Sequence, residues 1–181
     1  MKHLWIISST AITASLLVVS CAFFQHNMPA ITMSDANLID VLDTINQNEI
    51  ASAELARDRS SSTDVQAFAD RVLKEHQESI ESTRRMAQQM DIQPTSPSLA
   101  GKLKQDQMNA MEILRSKSDS DFDRTYIQQE IAKHVQALEL VQTAAAYEYE
   151  SPLKQQMLHT KLDLLSHLSA AKAVERQLGA Q

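Results

Sequence analysis

The sequence predicts an all-α protein: a four-helix bundle of two long helical hairpins, joined by a crossover that contains a shorter helix. Three observations carry this expectation. The 181 residues hold only 2 Gly and 4 Pro, amid many Ala, Leu, Gln, Glu and Met, so few positions interrupt a helix. Apolar residues recur every three or four positions in four long stretches and one shorter one. Between the stretches stand clusters rich in Ser, Asp or Pro, which cap or stop helices. A hydrophobic share of 43% supplies one core, and the length fits a single domain, placed at residues 34–181.

The first helix is capped by Ser34 or Asp35 and keeps Leu38, Leu42, Ile45, Glu49 and Ala56 on one face. The run Arg57 to Ser62 breaks it. Ser62 or Thr63 caps the second, whose inner face reads Val65, Ala69, Val72, His76, Thr83, Met86 and Met90. Gln93-Pro94-Thr95-Ser96-Pro97-Ser98 is the strongest loop signal in the chain. A shorter helix is expected over 99–117, with Leu103, Met108, Met111, Ile113 and Leu114 as its apolar positions. Ser118-Asp119-Ser120 caps the next, with Ile127, Ile131, His134, Leu138, Val141 and Ala145 facing inward. Pro152 suits the first turn of the last helix, which carries Leu153, Met157, Leu164, His167, Ala171, Val174 and Leu178.

The N-terminus has a different character. Lys2 precedes an apolar run from Leu4 to Ser20, the pattern of a secretory signal peptide over residues 1–20. The run falls short of the ~20 apolar residues that a membrane span requires. Val18-Val19-Ser20-Cys21 resembles a bacterial lipobox, which implies lipid attachment at Cys21 and sorting to the periplasmic face of the outer membrane. Residues 21–33 then read as a lipid-anchored tether, and the lipid is the expected contact with the membrane. A single cysteine excludes a disulfide framework and a Cys-rich metal site. A net charge of −6, with no basic stripe interleaved with aromatics, argues against nucleic acid as a partner. Gly101 and Gly179 are the only glycines, so phosphate loops and Gly-x-Ser-x-Gly elbows are absent, and no catalytic residues are assigned.

The apolar stripes of the four long helices are each interrupted by one polar residue: Glu49, His76, His134 and His167. A polar group inside such a stripe leaves water and needs a partner. Glu49 lies about twelve residues before the first turn and His76 about fifteen after it, so each stands roughly 20 Å from that turn at ~1.5 Å per residue. His134 and His167 are each about sixteen residues from the second hairpin turn, so they too are level. The four would meet near mid-height. Glu130 and Asp163, each four positions before a histidine, are candidates to orient the imidazoles or to ligate directly, and Tyr126, two turns before His134, is expected at the core rim with its hydroxyl bonded nearby. Glu75 is expected in solvent, as are His159 and the pair Arg84-Arg85, while most of the eight Met residues are expected to fill the core.

Val65-Gln-Ala-Phe-Ala-Asp-Arg-Val-Leu-Lys-Glu-His76, Phe122-Asp123-x-x-Tyr126 with His134 downstream, and a last helix ending its core in His167 together resemble the bacterial domain of unknown function 4142. The resemblance covers about residues 35–178 and implies an exported, ferritin-like four-helix bundle without an established activity. Ferritin-like di-iron sites take Glu-x-x-His from two helices. Here the positions three before the histidines are Leu73, Ile131 and Leu164, so a mononuclear site of three His plus Glu49 is the better match. Imidazole suits several transition metals, and one ion of Zn, Fe, Cu or Mn is the cofactor expected if the site is metallic. Two readings stand. One is a lipid-anchored envelope protein with a structural, binding or stress-related role and a protein partner, its polar residues forming a buried hydrogen-bonded network. The other is a metal-binding ferritin-like protein, with oxidoreductase chemistry open to it.

Overall fold

The computed structural model describes residues 33–147 and 152–180, apart from the side chains of Ser120 and Tyr147. The expected signal peptide, Cys21 and all of the expected tether except Met33 therefore lie outside the described residues. Five helices follow in order: α1 (Asp35–Arg59), α2 (Thr63–Gln89), α3 (Ser98–Ser116), α4 (Asp119–Tyr147) and α5 (Pro152–Gly179). No strand occurs among the described residues.

Local chemistry sets the helix ends. The Ser34 hydroxyl accepts from the Asn37 amide, and the Ser62 hydroxyl accepts from the Val65 amide, each satisfying a donor that a helix start leaves unpaired. α2 ends in a Schellman turn: the Ile92 amide donates to the Ala87 carbonyl at 2.9 Å and the Asp91 amide to Gln88 at 3.2 Å. Asp91 holds the left-handed position at φ 52°, which a short polar side chain tolerates. Pro152 is the first residue of α5. α1 continues through Arg57–Arg59, where the sequence suggested a break, and the turn is confined to Ser60–Ser62.

Side-chain contacts fix the directions. Arg59, the last residue of α1, meets the end of α3 and the start of α4. The Arg124 guanidinium, early in α4, donates to the Leu178 carbonyl at the end of α5. The Ser82 hydroxyl, late in α2, donates to Gln156, early in α5. The long helices therefore run up, down, down and up. α1–α2 and α4–α5 are the two hairpins, and they join through α2 against α5 and α1 against α4. The crossover helix α3 climbs the outside and packs on α1 and α4. It buries Ala100, Gln107, Met111 and Leu114, so Met108 (65% exposed) and Ile113 (48% exposed) face solvent rather than the core. A helix laid on the outside of a bundle needs only one narrow stripe, at a spacing of three to four residues, and these two fall off it.

The core is divided. Above mid-height Ala53, Ala56, Phe68, Val72, Phe122, Tyr126, Ala171 and their neighbours form one apolar cluster. Below it Leu38, Leu42, Met86, Leu138, Met157, Leu164 and others form a second. Between them every long helix contributes buried polar groups: Asn46 and Glu49 on α1, His76 on α2, Glu130 and His134 on α4, His167 on α5.

The Arg59 guanidinium holds the top of the bundle together. It donates to the Leu114 carbonyl at 2.9 Å, to Arg115 at 3.1 Å and to Lys117, covering carbonyls that the end of α3 leaves open. Its Cζ also lies 4.6 Å from the Phe122 ring centroid. Arg59→Ala is expected to cost about 2 kcal/mol, from lost charge-assisted hydrogen bonds and the ring contact. Arg59→Lys should restore less than half of that, because an ammonium cannot fork across several carbonyls. Urea denaturation of the three proteins checks both expectations.

Candidate functional site

The polar layer has two adjoining parts. In the first, the rings of His76, His134 and His167 lie with centroids 5.2–6.1 Å apart, and all three are essentially without solvent exposure. A ring nitrogen of each lies within 4.8 Å of a ring nitrogen of the other two. Each ring is tied at one nitrogen only. His76 Nδ1 is 2.8 Å from the Asn46 amide oxygen, and that amide donates in turn to Ser79. His134 Nδ1 is 2.8 Å from the Glu130 backbone carbonyl. His167 Nε2 is 2.6 Å from Glu75 Oε2. Each partner is an oxygen that can only accept, so the tied nitrogen carries a hydrogen, and in the neutral ring the other nitrogen carries a lone pair. Those other nitrogens, His76 Nε2, His134 Nε2 and His167 Nδ1, have no hydrogen-bond partner among the described residues.

In the second part, Glu49, Glu130 and His134 approach one another, each offering an atom within 4.8 Å of the others. The Lys133 ammonium sits against both carboxyls, 3.2 Å from Glu49 Oε1 and 2.6 Å from Glu130 Oε1, and donates to the Ser52 hydroxyl at 3.0 Å. Ser52 also accepts from the Gln107 amide, at 2.9 Å, which ties α3 to this part of the layer.

Burial and charge set the protonation states. Burial pushes the Glu130 carboxyl well above the carboxylate range, and the Glu49 charge beside it adds to that. Burial also pushes Glu49 upward, but Lys133 and His134 outweigh it and hold Glu49 well below its usual range. The two carboxyls face the same ammonium with opposite results. The consistent state has Glu49 ionised, Glu130 protonated and Lys133 charged, a triad without net charge. Lys133 itself loses to burial and gains more from Glu130 and Glu49, so it stays an ammonium. Burial takes His76 down to about 3, with Glu49 only partly opposing, and lowers His134 in the same way. Both rings are neutral in the folded protein, the form that offers a lone pair to a metal.

Glu49 and the three histidines that the stripes singled out thus share one layer. Glu130 is there too, but its backbone carbonyl, not its carboxyl, orients His134, and its carboxyl faces Lys133. Asp163 faces away: it is half-exposed and lies 3.9 Å from His159, one turn back on α5. Its place beside His167 is taken by Glu75, which was expected in solvent and instead reaches across from α2. Glu75 is held by the Arg71 guanidinium at 2.9 Å, and Arg71 also donates to Ser166. Tyr126 is wholly buried rather than at the core rim, between the Phe68 and Phe122 rings, and its hydroxyl finds no partner among the described residues. Lys133 and Asn46 were not anticipated. Asn46 stands three positions before Glu49 on the same face, and Lys133 three after Glu130.

A bundle split by a buried layer of imidazole and carboxyl groups defines the class to which this chain's architecture conforms. The chain belongs to the family described as Domain of unknown function (DUF4142), whose model matches residues 24–174. No curated protein and no solved structure matches it.

Acid should weaken the metal-free fold in a defined window. His76 and His134 take up protons in the unfolded chain below ~6.5 but resist doing so when folded, so stability is lost as pH falls below about 6.5, for His76 down to about 3. Glu49, depressed in the fold, loses stability in the same direction below ~4.5. Glu130, raised in the fold, acts oppositely above ~4.5. The balance is a stability that falls as pH drops below about 6.5 and falls more steeply below ~4.5, where Glu49 joins the histidines and Glu130 no longer opposes them. Urea midpoints measured from pH 3.5 to 7.5 in chelator should follow this course, and His76→Gln should flatten it. A wild-type midpoint that is level across the range contradicts the assigned states.

Proposed function

We propose that this protein binds one transition-metal ion within the bundle through His76, His134 and His167, with Glu49 as a neighbouring anionic group. One observation carries the reading. Three buried imidazoles converge, each has its outer nitrogen donated to an oxygen, and each keeps the inner lone pair without a partner. In a buried hydrogen-bonded network those lone pairs would find donors, because an unmet polar atom costs on the order of 1–3 kcal/mol. An oxygen partner behind each ring is instead the arrangement that orients histidine ligands toward a metal. The donor set suits Zn, Cu or Fe, and Mn where a carboxylate joins it. The ion would bring Lewis acidity or one-electron chemistry. The chain's own groups fix the tautomers, exclude water with two apolar clusters and supply the neighbouring negative charge of Glu49.

The lipobox-like Val18 to Cys21 supports a location for this activity: export, lipid attachment at Cys21 and residence in the cell envelope at the outer membrane. A second reading, an envelope bundle that docks a protein partner, draws support from Leu158, Leu162 and Leu165. These residues are 44–64% exposed and lie on one stripe of α5.

Untagged protein should carry about one transition-metal ion per chain by mass spectrometry, and chelator should lower its Tm by several degrees, as loss of a bound ligand does. His134→Ala should empty it and leave a Tm indifferent to chelator. A wild-type protein that arrives empty and refuses added Zn, Cu, Fe and Mn overturns the reading and returns the layer to a structural network. For the anchor, Cys21→Ser should move the protein out of the membrane fraction or leave its precursor unprocessed. An unchanged distribution and an unchanged mass would dismiss the lipid.

A further inference from the structure

The Lys133 ammonium has three hydrogens and three neighbours: Glu49 Oε1, Glu130 Oε1 and the Ser52 hydroxyl. No further ammonium hydrogen remains for the other side of the cluster, where Glu130 carries a proton. Glu49 Oε2, Glu130 Oε2 and His134 Nε2 are all buried and have no hydrogen-bond partner among the described residues. Two carboxyls offer four oxygens between them, more than one ammonium can serve. They can also carry two negative charges, of which an ammonium balances one and a divalent ion both. Oxygen donors of this kind suit a hard or borderline divalent cation. Lys133 differs from the groups that it contacts: its side chain is 20% exposed, whereas those of Glu49 and Glu130 are at 4% and 0%. It reaches the cluster from the rim with a flexible stem, the way long cationic side chains cross a boundary.

We propose that the Lys133 ammonium occupies a second cation site, formed by the Glu49 and Glu130 carboxyls beside the three-histidine site, and thereby limits the wild-type layer to one metal ion. This deepens the metal-binding reading and rests on it. Lys133 is a specificity-determining residue in this scheme: its fixed charge is a cation that can neither exchange nor change oxidation state. His134 has one free lone pair and serves only one ion, so the second ion rests on the two carboxylates. Removal of the ammonium, with its positive charge, leaves a site that recruits a divalent ion from solution.

The test compares full-length wild type, Lys133→Gln, Lys133→Arg and the double variant Glu130→Gln/Lys133→Gln. Each is incubated with Mn²⁺ or Zn²⁺, passed through gel filtration and measured for metal per chain and for Tm. The expected result is one ion in wild type, one in Lys133→Arg, where a cation is retained, and two in Lys133→Gln. The double variant, which has lost one carboxylate together with the ammonium, should return to one. Lys133→Gln should also show the larger Tm rise on adding metal. If Lys133→Gln folds without metal only poorly but folds in Mn²⁺ or Zn²⁺, the proposal is supported. If it folds and holds the same single ion as wild type, the proposal is overturned while the three-histidine reading survives. If it stays unfolded in both metals while the double variant folds, the proposal is overturned as well, because the divalent ion then fails to replace the ammonium. An empty wild type together with one ion in Lys133→Gln would end the three-histidine reading and keep the carboxylate site.

Discussion

The contact on which this architecture depends is the one between Lys133 and the two buried carboxyls, Glu49 and Glu130. Two acidic groups from neighbouring helices are taken wholly out of water at the centre of the bundle, where a lone charge is among the costliest things to bury. An ammonium at 2.6 and 3.2 Å makes their burial tolerable. Their removal from water in turn fixes where α1 and α4 meet, since a slide of one turn would separate Glu49 from Lys133. The histidines follow from that register. His134 is the residue next to Lys133, and its ring meets His76 and His167 only while the heights of all four helices agree.

The two apolar clusters act as clamps on either side. They hold side chains such as Phe122, Phe68, Leu38 and Met157 that have a single good packing arrangement, and they keep water away from the layer. Specificity of register comes from the polar layer and most of the burial comes from the clamps. This division is familiar from bundles in which a polar position fixes alignment at some cost in stability.

Much of this was legible in the sequence because helices report their inner faces through period alone. Every residue assigned to the inner stripe of α2 or α5 is buried or partly buried, and the turn-counting that put Glu49, His76, His134 and His167 at one height needed only the rise of a helix. Where period gave no guide, the expectations failed. α3 packs on the outside, so its stripe is narrow, and Met108 and Ile113 were misassigned to it. Asp163 and Glu75 exchanged roles because the partner of His167 is chosen across the α2–α5 interface, which no spacing within one helix encodes. Lys133 was missed for a related reason: a lysine at a helix edge looks solvated until the charges buried beneath it are known. The Glu130 carbonyl as the partner of His134 was equally hidden, since a backbone atom leaves no mark in a residue pattern.

The crossover helix makes the layer unequal on its two flanks. Across α1 and α4, α3 lies as a roof, pinned by Gln107 to Ser52 and to the Asn48 carbonyl and by Gln129 to the Ala110 carbonyl. Across α2 and α5, Glu75 and Arg71, both partly open to solvent, stand in front of His167. Lifting a packed helix is a slow, cooperative event, whereas an exposed side chain changes rotamer in picoseconds to nanoseconds. The α2–α5 flank is therefore the less firmly covered side of the imidazoles. One glutamate and one arginine close that flank, while α3 covers the carboxyl half of the layer.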